Sequence, residues 1–134
     1  MRWVIFCFIS CYPFANSCTP EAGFAYEIEN KTELNIKIET FVIDNWVGGG
    51  RPGMYEIKAK SKIKLKIDEG KALGGTDSLV VTFSDGKVKT DVLYSYRTDW
   101  VNIYNPARQI ISSCGRNCSR TTYVIDEQDY AEAK

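Results

Sequence analysis

Beyond residue 24 the chain alternates apolar and polar positions with a period of two, and no segment carries a helical period of 3.6. Leu34, Ile36 and Ile38 fall on one side of an extended segment, with Asn35 and Lys37 on the other. Ile63, Leu65 and Ile67 alternate with Lys62, Lys64 and Lys66 in the same way. Successive side chains of a strand point to opposite faces, so each segment reads as a half-buried strand with one wet face. Further strands are expected over 24–29, 41–44, 54–58, 79–83, 88–96, 100–104, 109–112 and 121–126. Asn30-Lys31-Thr32, Asn105-Pro106 and Gly115-Arg116-Asn117 supply turn chemistry between them. Ser84-Asp85-Gly86-Lys87 predicts a hairpin with Gly86 at a left-handed position. About eight or nine short strands at this spacing predict an all-β chain, a single antiparallel β-sandwich or small barrel. Only the tail, 127–134, offers a helix, and it is short and polar enough to be expected to fray.

The first residues break this pattern. Arg2 precedes an apolar run over 3–9, Pro13 ends it, and Ala15-Asn16-Ser17 places small residues where a signal peptidase reads. The layout predicts an export leader over 1–17, a linker over 18–23, a β domain over 24–126 and the tail. Cleavage after Ser17 makes Cys18 the new N-terminus and a candidate lipidation site, as in a bacterial lipoprotein. Ala15 stands where such signals usually carry Leu, so lipidation and simple cleavage both stay open. The apolar run is shorter than the roughly 20 residues a bilayer span takes, and no transmembrane helix is expected in the mature chain. The expected location is therefore extracytoplasmic: secreted, periplasmic or lipid-anchored to the envelope.

Charge narrows the partners. The 17 basic and 17 acidic residues cancel, which disfavours a chain that holds nucleic acid by bulk charge. Histidine is absent, which removes the commonest general base, the usual Ser and Cys triads and the most frequent metal ligand. No cofactor and no metal site are expected.

Cys7 and Cys11 leave with the leader, and Cys18, Cys114 and Cys118 remain. An oxidising compartment permits Cys114 and Cys118 to close a tight loop as a disulfide. Zinc would need four ligands, and no second Cys or His pair exists.

Candidate contact residues follow from exposure patterns. Lys58, Lys60, Lys62, Lys64 and Lys66 recur at every second position and predict five ammonium groups on one face. They suit phosphate headgroups, a polyanionic glycan or an acidic partner, or else they guard a sheet edge and balance Glu27, Glu29, Glu39 and Glu56. Trp46 and Arg51 lie in a glycine-bearing loop, Gly48-Gly49-Gly50, that lacks the ending of a phosphate loop. Tyr94, Tyr96 and Trp100, with Tyr104, form an aromatic group suited to sugar stacking, a membrane interface or core packing. The carboxylates Asp77, Asp85, Asp91, Asp99 and Asp126 are scattered, and no nucleophile motif is present. Asn30-Lys31-Thr32 and Asn117-Cys118-Ser119 fit the N-glycosylation acceptor pattern.

Taken together, the residues predict a non-catalytic binding or accessory protein that meets another protein or an envelope or membrane surface component. A lipid- or glycan-binding module of toxin-like, membrane-directed character is the second expectation, and a hydrolase built on carboxylates is the third.

Overall fold

Two four-stranded sheets account for most of the described residues in the computed structural model, which describes residues 23–41, 52–66, 73, 76–93 and 101–134. The strands are β1 (Gly23–Asn30), β2 (Ile36–Phe41), β3 (Gly53–Ile57), β4 (Ser61–Leu65), β5 (Ser78–Phe83), β6 (Val88–Val92), β7 (Ile110–Gly115) and β8 (Cys118–Ile125). One sheet has the order β4-β1-β8-β7 and the other β3-β2-β5-β6.

The period-two pattern does what it predicts. On β2, Ile36, Ile38 and Thr40 are buried while Lys37 and Glu39 are only half-buried. On β5, Leu79, Val81 and Phe83 are buried in alternation with Ser78, Val80 and Thr82. These side chains join Ile28, Leu65, Tyr123 and Ile125 of the first sheet in one hydrophobic cluster. Burial of a single Ile or Leu side chain contributes roughly 1.5–3 kcal/mol, so this shared cluster is what holds the two sheets to one fold.

Local turn chemistry also holds. Gly86 takes a φ of 93°, as the hairpin between β5 and β6 requires, and Lys87 N–H donates to Asp85 Oδ1 at 3.2 Å.

Three expectations are corrected. The sheets are not wholly antiparallel: β1 and β8 run parallel along their full length, Gly23 beside Cys118 through Asn30 beside Ile125. The first and last described strands are far apart in sequence, so no hairpin fixes their direction. Residues 101–104 form turns rather than a strand. The reason is polar: Tyr104 N–H donates to Asn102 Oδ1 at 2.9 Å and Ala107 N–H to Asn105 Oδ1 at 3.0 Å. Such side-chain bonds replace ladder bonds.

The tail does not fray. Glu127–Glu132 is a helix, α1, with a capping box in which Asp126 Oδ1 accepts from Gln128 N–H at 3.0 Å and Asp129 Oδ2 from Asp126 N–H at 2.8 Å. Tyr130 packs edge-on against Phe83 with ring centroids 5.2 Å apart, and Lys134 exchanges both backbone bonds with Val88. The last residue thereby covers part of the β6 edge.

Candidate functional site

Strand β6 inverts the usual arrangement. Val88, Thr90 and Val92 are exposed, while Lys89 and Asp91 are buried. The hairpin register sets Lys89 opposite Val81 and Asp91 opposite Leu79, both inward-facing positions. Two charged groups are thus carried to the buried side and must find partners there.

They find them on α1 and on the turn before β7. Lys89 Nζ lies 2.6 Å from Asp129 Oδ1, 2.9 Å from Asp91 Oδ1 and 2.8 Å from the Val101 carbonyl. Arg108, in the short 3-10 turn Pro106–Arg108, grips Asp129 through two contacts of 2.9 and 2.8 Å and reaches Asp126 at 3.1 Å. Its Nη1 also donates to the Val101 carbonyl. Asp91 Oδ2 accepts from Ile103 N–H at 2.9 Å, whereas Oδ1 contacts Lys89 without hydrogen-bond alignment.

Burial raises the pKa of Asp91, and Lys89 only partly offsets it. Burial also acts to raise Asp129, but Arg108 and Lys89 outweigh it and hold that carboxyl below its ordinary range. Lys89 is disfavoured as a cation by burial, yet Asp129 and Asp91 raise it above the ordinary lysine value.

A different kind of site lies at the β7 edge of the first sheet. β7 is an edge strand, and no described strand pairs with its outer side. Ile110 is 44% exposed and Ile111 70%, and no residue of Ile110–Gly115 carries a charge. Beside it lies an open pocket of about 480 Å3, lined by Phe24, Ser113, Gly115, Asn117 and Ser119 among others. Cys114 and Cys118 form the expected disulfide, with Cα atoms 5.1 Å apart, and it closes the turn into β8. Asn117 takes a left-handed φ of 57° in that turn.

The five lysines do not form one face. The chain passes from β3 in one sheet to β4 in the other at Ala59-Lys60, where Lys60 has a φ of 52°. Lys58 is exposed at the end of β3 and lines a separate pocket of about 440 Å3 with Lys37, Glu56 and Thr82. Lys60 pairs with Glu33 at 2.9 Å, and Lys62 with the buried Glu27 at 3.6 Å. Lys64 stands opposite Glu27 in the register, and Lys66 follows the strand. Edge guarding and charge balance describe this arrangement better than a cationic platform.

Trp46, Arg51, Tyr94, Tyr96, Trp100, Cys18 and Asp99 lie outside the described residues, as does the segment 1–17 in which a leader is expected. Tyr104 belongs to the core, with its hydroxyl 2.6 Å from Thr76 Oγ1, and burial pushes its pKa up to about 12. The acceptor pattern at Asn30 is also overturned. Asn30 is fully buried: its amide donates to the Leu34 and Lys58 carbonyls at 2.7 and 3.0 Å, and its Oδ1 accepts from Thr32. A glycan cannot be attached to that nitrogen in the folded chain.

Among the described residues no group of three or more His, Cys, Asp or Glu could hold a metal ion, and no helix is long and apolar enough to cross a membrane. The chain matches no family model, no curated protein and no solved structure. Lys89 and Arg108 escaped the reading of the sequence, which weighed only the carboxylates among these charges. The signal was the hairpin register: with Val81 inward, the Gly86 turn places Lys89 inward too.

Proposed function

We propose that this chain is an exported protein whose two sheets stack as a β-sandwich, and that it acts by binding rather than catalysis. Its ligand is an extended segment of a partner polypeptide that adds as a further strand to the outer side of β7. The observation that carries this reading is the uncharged edge of β7, on whose outer side no described strand pairs, with Ile111 70% exposed.

Strand addition draws affinity from main-chain hydrogen bonds and specificity from pockets for alternate side chains. The pocket bounded by Phe24, Ser113 and Ser119 is suited to take one apolar side chain of such a segment. The neutral edge favours an uncharged, apolar segment. The two buried carboxylates of the charged cluster are engaged: Asp129 by Arg108 and Lys89, Asp91 by Lys89 and Ile103 N–H.

Selection of displayed random decapeptides against the purified protein tests the reading. The expected binders are uncharged with alternating apolar residues, and lose at least tenfold in affinity against both Ile111→Lys and Ile111→Glu. Binders that ignore both substitutions overturn it.

A second reading, lipid or glycan binding, is favoured by the outer face of the other sheet. Phe41, Met54, Val88 and Val92 are exposed there, with Phe41, Ser78 and Val92 in one row. Sedimentation with zwitterionic and anionic vesicles, lost on Phe41→Ser with Met54→Ser, would support it.

A further inference from the structure

We propose that Lys89 and Asp129 condense into an intramolecular amide, which ties β6 covalently to α1. This inference is independent of the β7 edge.

The geometry brings together the parts that amide formation needs. The nucleophile is Lys89 Nζ, 2.6 Å from Asp129 Oδ1, with both side chains buried. The Val101 carbonyl, 2.8 Å from Nζ, fixes the direction of the amine. Asp91, whose Oδ2 accepts from Nζ at 3.2 Å, is the carboxyl that relays a proton, and burial raises its affinity for one. Arg108 holds both oxygens of Asp129 and meets the negative charge that develops on them during attack. Asp126 also contacts Arg108, so the guanidinium is not neutralised by Asp129 alone. Among the described residues, Glu132, 3.9 Å from Nζ, is the remaining charged group paired with the lysine.

The step balances without an oxidant or co-reactant. Asp91 relays one proton from the Lys89 ammonium to Asp129, which leaves a neutral amine beside a neutral carboxylic acid, and the freed lone pair attacks Cγ of Asp129. The N–C bond forms, and the carbonyl electron pair moves onto an oxygen that faces Arg108. A second proton passes from nitrogen to the departing hydroxyl as the carbonyl re-forms. The C–O bond breaks and water leaves. One ammonium and one carboxylate become one amide and one water, and Asp91 ends as it began.

Two physical effects favour the product. Groups held in contact react with effective molarities on the order of 10⁵ M or more. The amide also removes a pair of charges from a site where each ion carries a desolvation penalty. Asp129, rather than Asp91, is the acyl partner because it is nearer to Nζ and is the carboxyl gripped by Arg108.

The test is the intact mass of the full purified chain after denaturation, against the mass calculated from its sequenced N-terminus and its disulfide. The expected result is a deficit of one water, with digestion yielding one peptide pair joined through Lys89 and Asp129. Lys89→Arg should restore the full mass, and Asp91→Asn should slow the loss of water at least tenfold. A wild-type chain at full mass overturns the proposal, and that measurement does not depend on any variant folding. A water deficit that maps to Lys89 with Asp91, or to a succinimide at Asp85-Gly86, overturns it as well.

Discussion

Arg108 holds Asp129 with two parallel contacts of 2.9 and 2.8 Å, so the turn before β7 and the C-terminal helix are locked to each other. A planar guanidinium matched to both carboxylate oxygens is the strongest geometry such a pair can take. Arg108→Ala would leave Asp126, and Asp129 wherever it is not condensed with Lys89, beside a cluster with one cation fewer. Breaking a buried ion pair costs about 3–5 kcal/mol, and the partial exposure of Arg108 argues for the lower end. The urea midpoint should fall accordingly, and Arg108→Lys should recover only part of the loss. A midpoint within experimental error of the parent would show that the grip contributes nothing.

Tyr104 and Tyr123 offer a reading at alkaline pH. Burial is the first cause for both, and it pushes each pKa from 10.0 up to about 12. The folded state therefore keeps two protons that the unfolded state releases first. The stability they contribute is complete below pH 10.0 and is lost as pH rises through about 12. Phenolate absorbance should show these two rising late, with Tyr104→Phe removing one of the late steps. Ordinary titration of every tyrosine in the folded protein would contradict this.

Asn30 answers to Thr32 across a two-residue turn and to the chain end of β3, which makes it a joint between the two sheets. Asn30→Ala removes both partner sets and leaves buried carbonyls and the Thr32 hydroxyl unmatched. Each such group costs about 1–3 kcal/mol, so a loss of about 3 kcal/mol is expected in thermal or urea unfolding. Expression through a eukaryotic secretory route should leave residue 30 without a glycan when peptides are mapped, while the exposed Asn117 can carry one. Occupancy at residue 30 in folded protein would rule out the buried arrangement.

How much of this was legible before the structure depends on range. The strands around Ile36 and Val81 and the hairpin at Gly86 were readable because side-chain alternation and turn chemistry are local. The parallel pairing of β1 with β8 was not, because it joins the two ends of the described chain. Lys89 and Asp91 were misleading for a subtler reason. Val88, Thr90 and Val92 carry the β-branched side chains, yet the register opposite Val81 turns the charged pair inward. Residues 101–104 looked like a strand because Trp100, Ile103 and Tyr104 are apolar, and Asn102, which bends the backbone, went unweighed. The site fared worse than the fold, since the lysine stripe was broken by a change of sheet at Lys60.

The Cys114–Cys118 bridge closes a loop of few residues, so its effect on the unfolded chain is small. Loop-entropy arithmetic gives about 2 kcal/mol for so short a ring. Replacing both cysteines with serine should lower stability by that amount and loosen the turn beside β7. Peptides selected on the β7 edge should then bind more weakly although Ile111 is intact. Equal stability with and without reductant would count against a structural role.

Lys64 is exposed on β4, the other edge of the sheet that carries β7, and stands opposite Glu27. An edge strand offers unpaired backbone groups to any neighbouring chain, and a lysine there deters pairing because its ammonium would be stripped of water. Lys62 is engaged with buried Glu27, which leaves Lys64 as the residue to change without unpairing a carboxylate. Lys64→Val should alter stability by no more than about 0.5 kcal/mol, as exposed substitutions do. It should nevertheless promote association, seen as rising light scattering with concentration, while Lys64→Arg remains like the parent. A Lys64→Val chain that stays monodisperse would mean that β4 is protected by something other than its lysines, and the contrast with the uncharged edge of β7 would lose its basis.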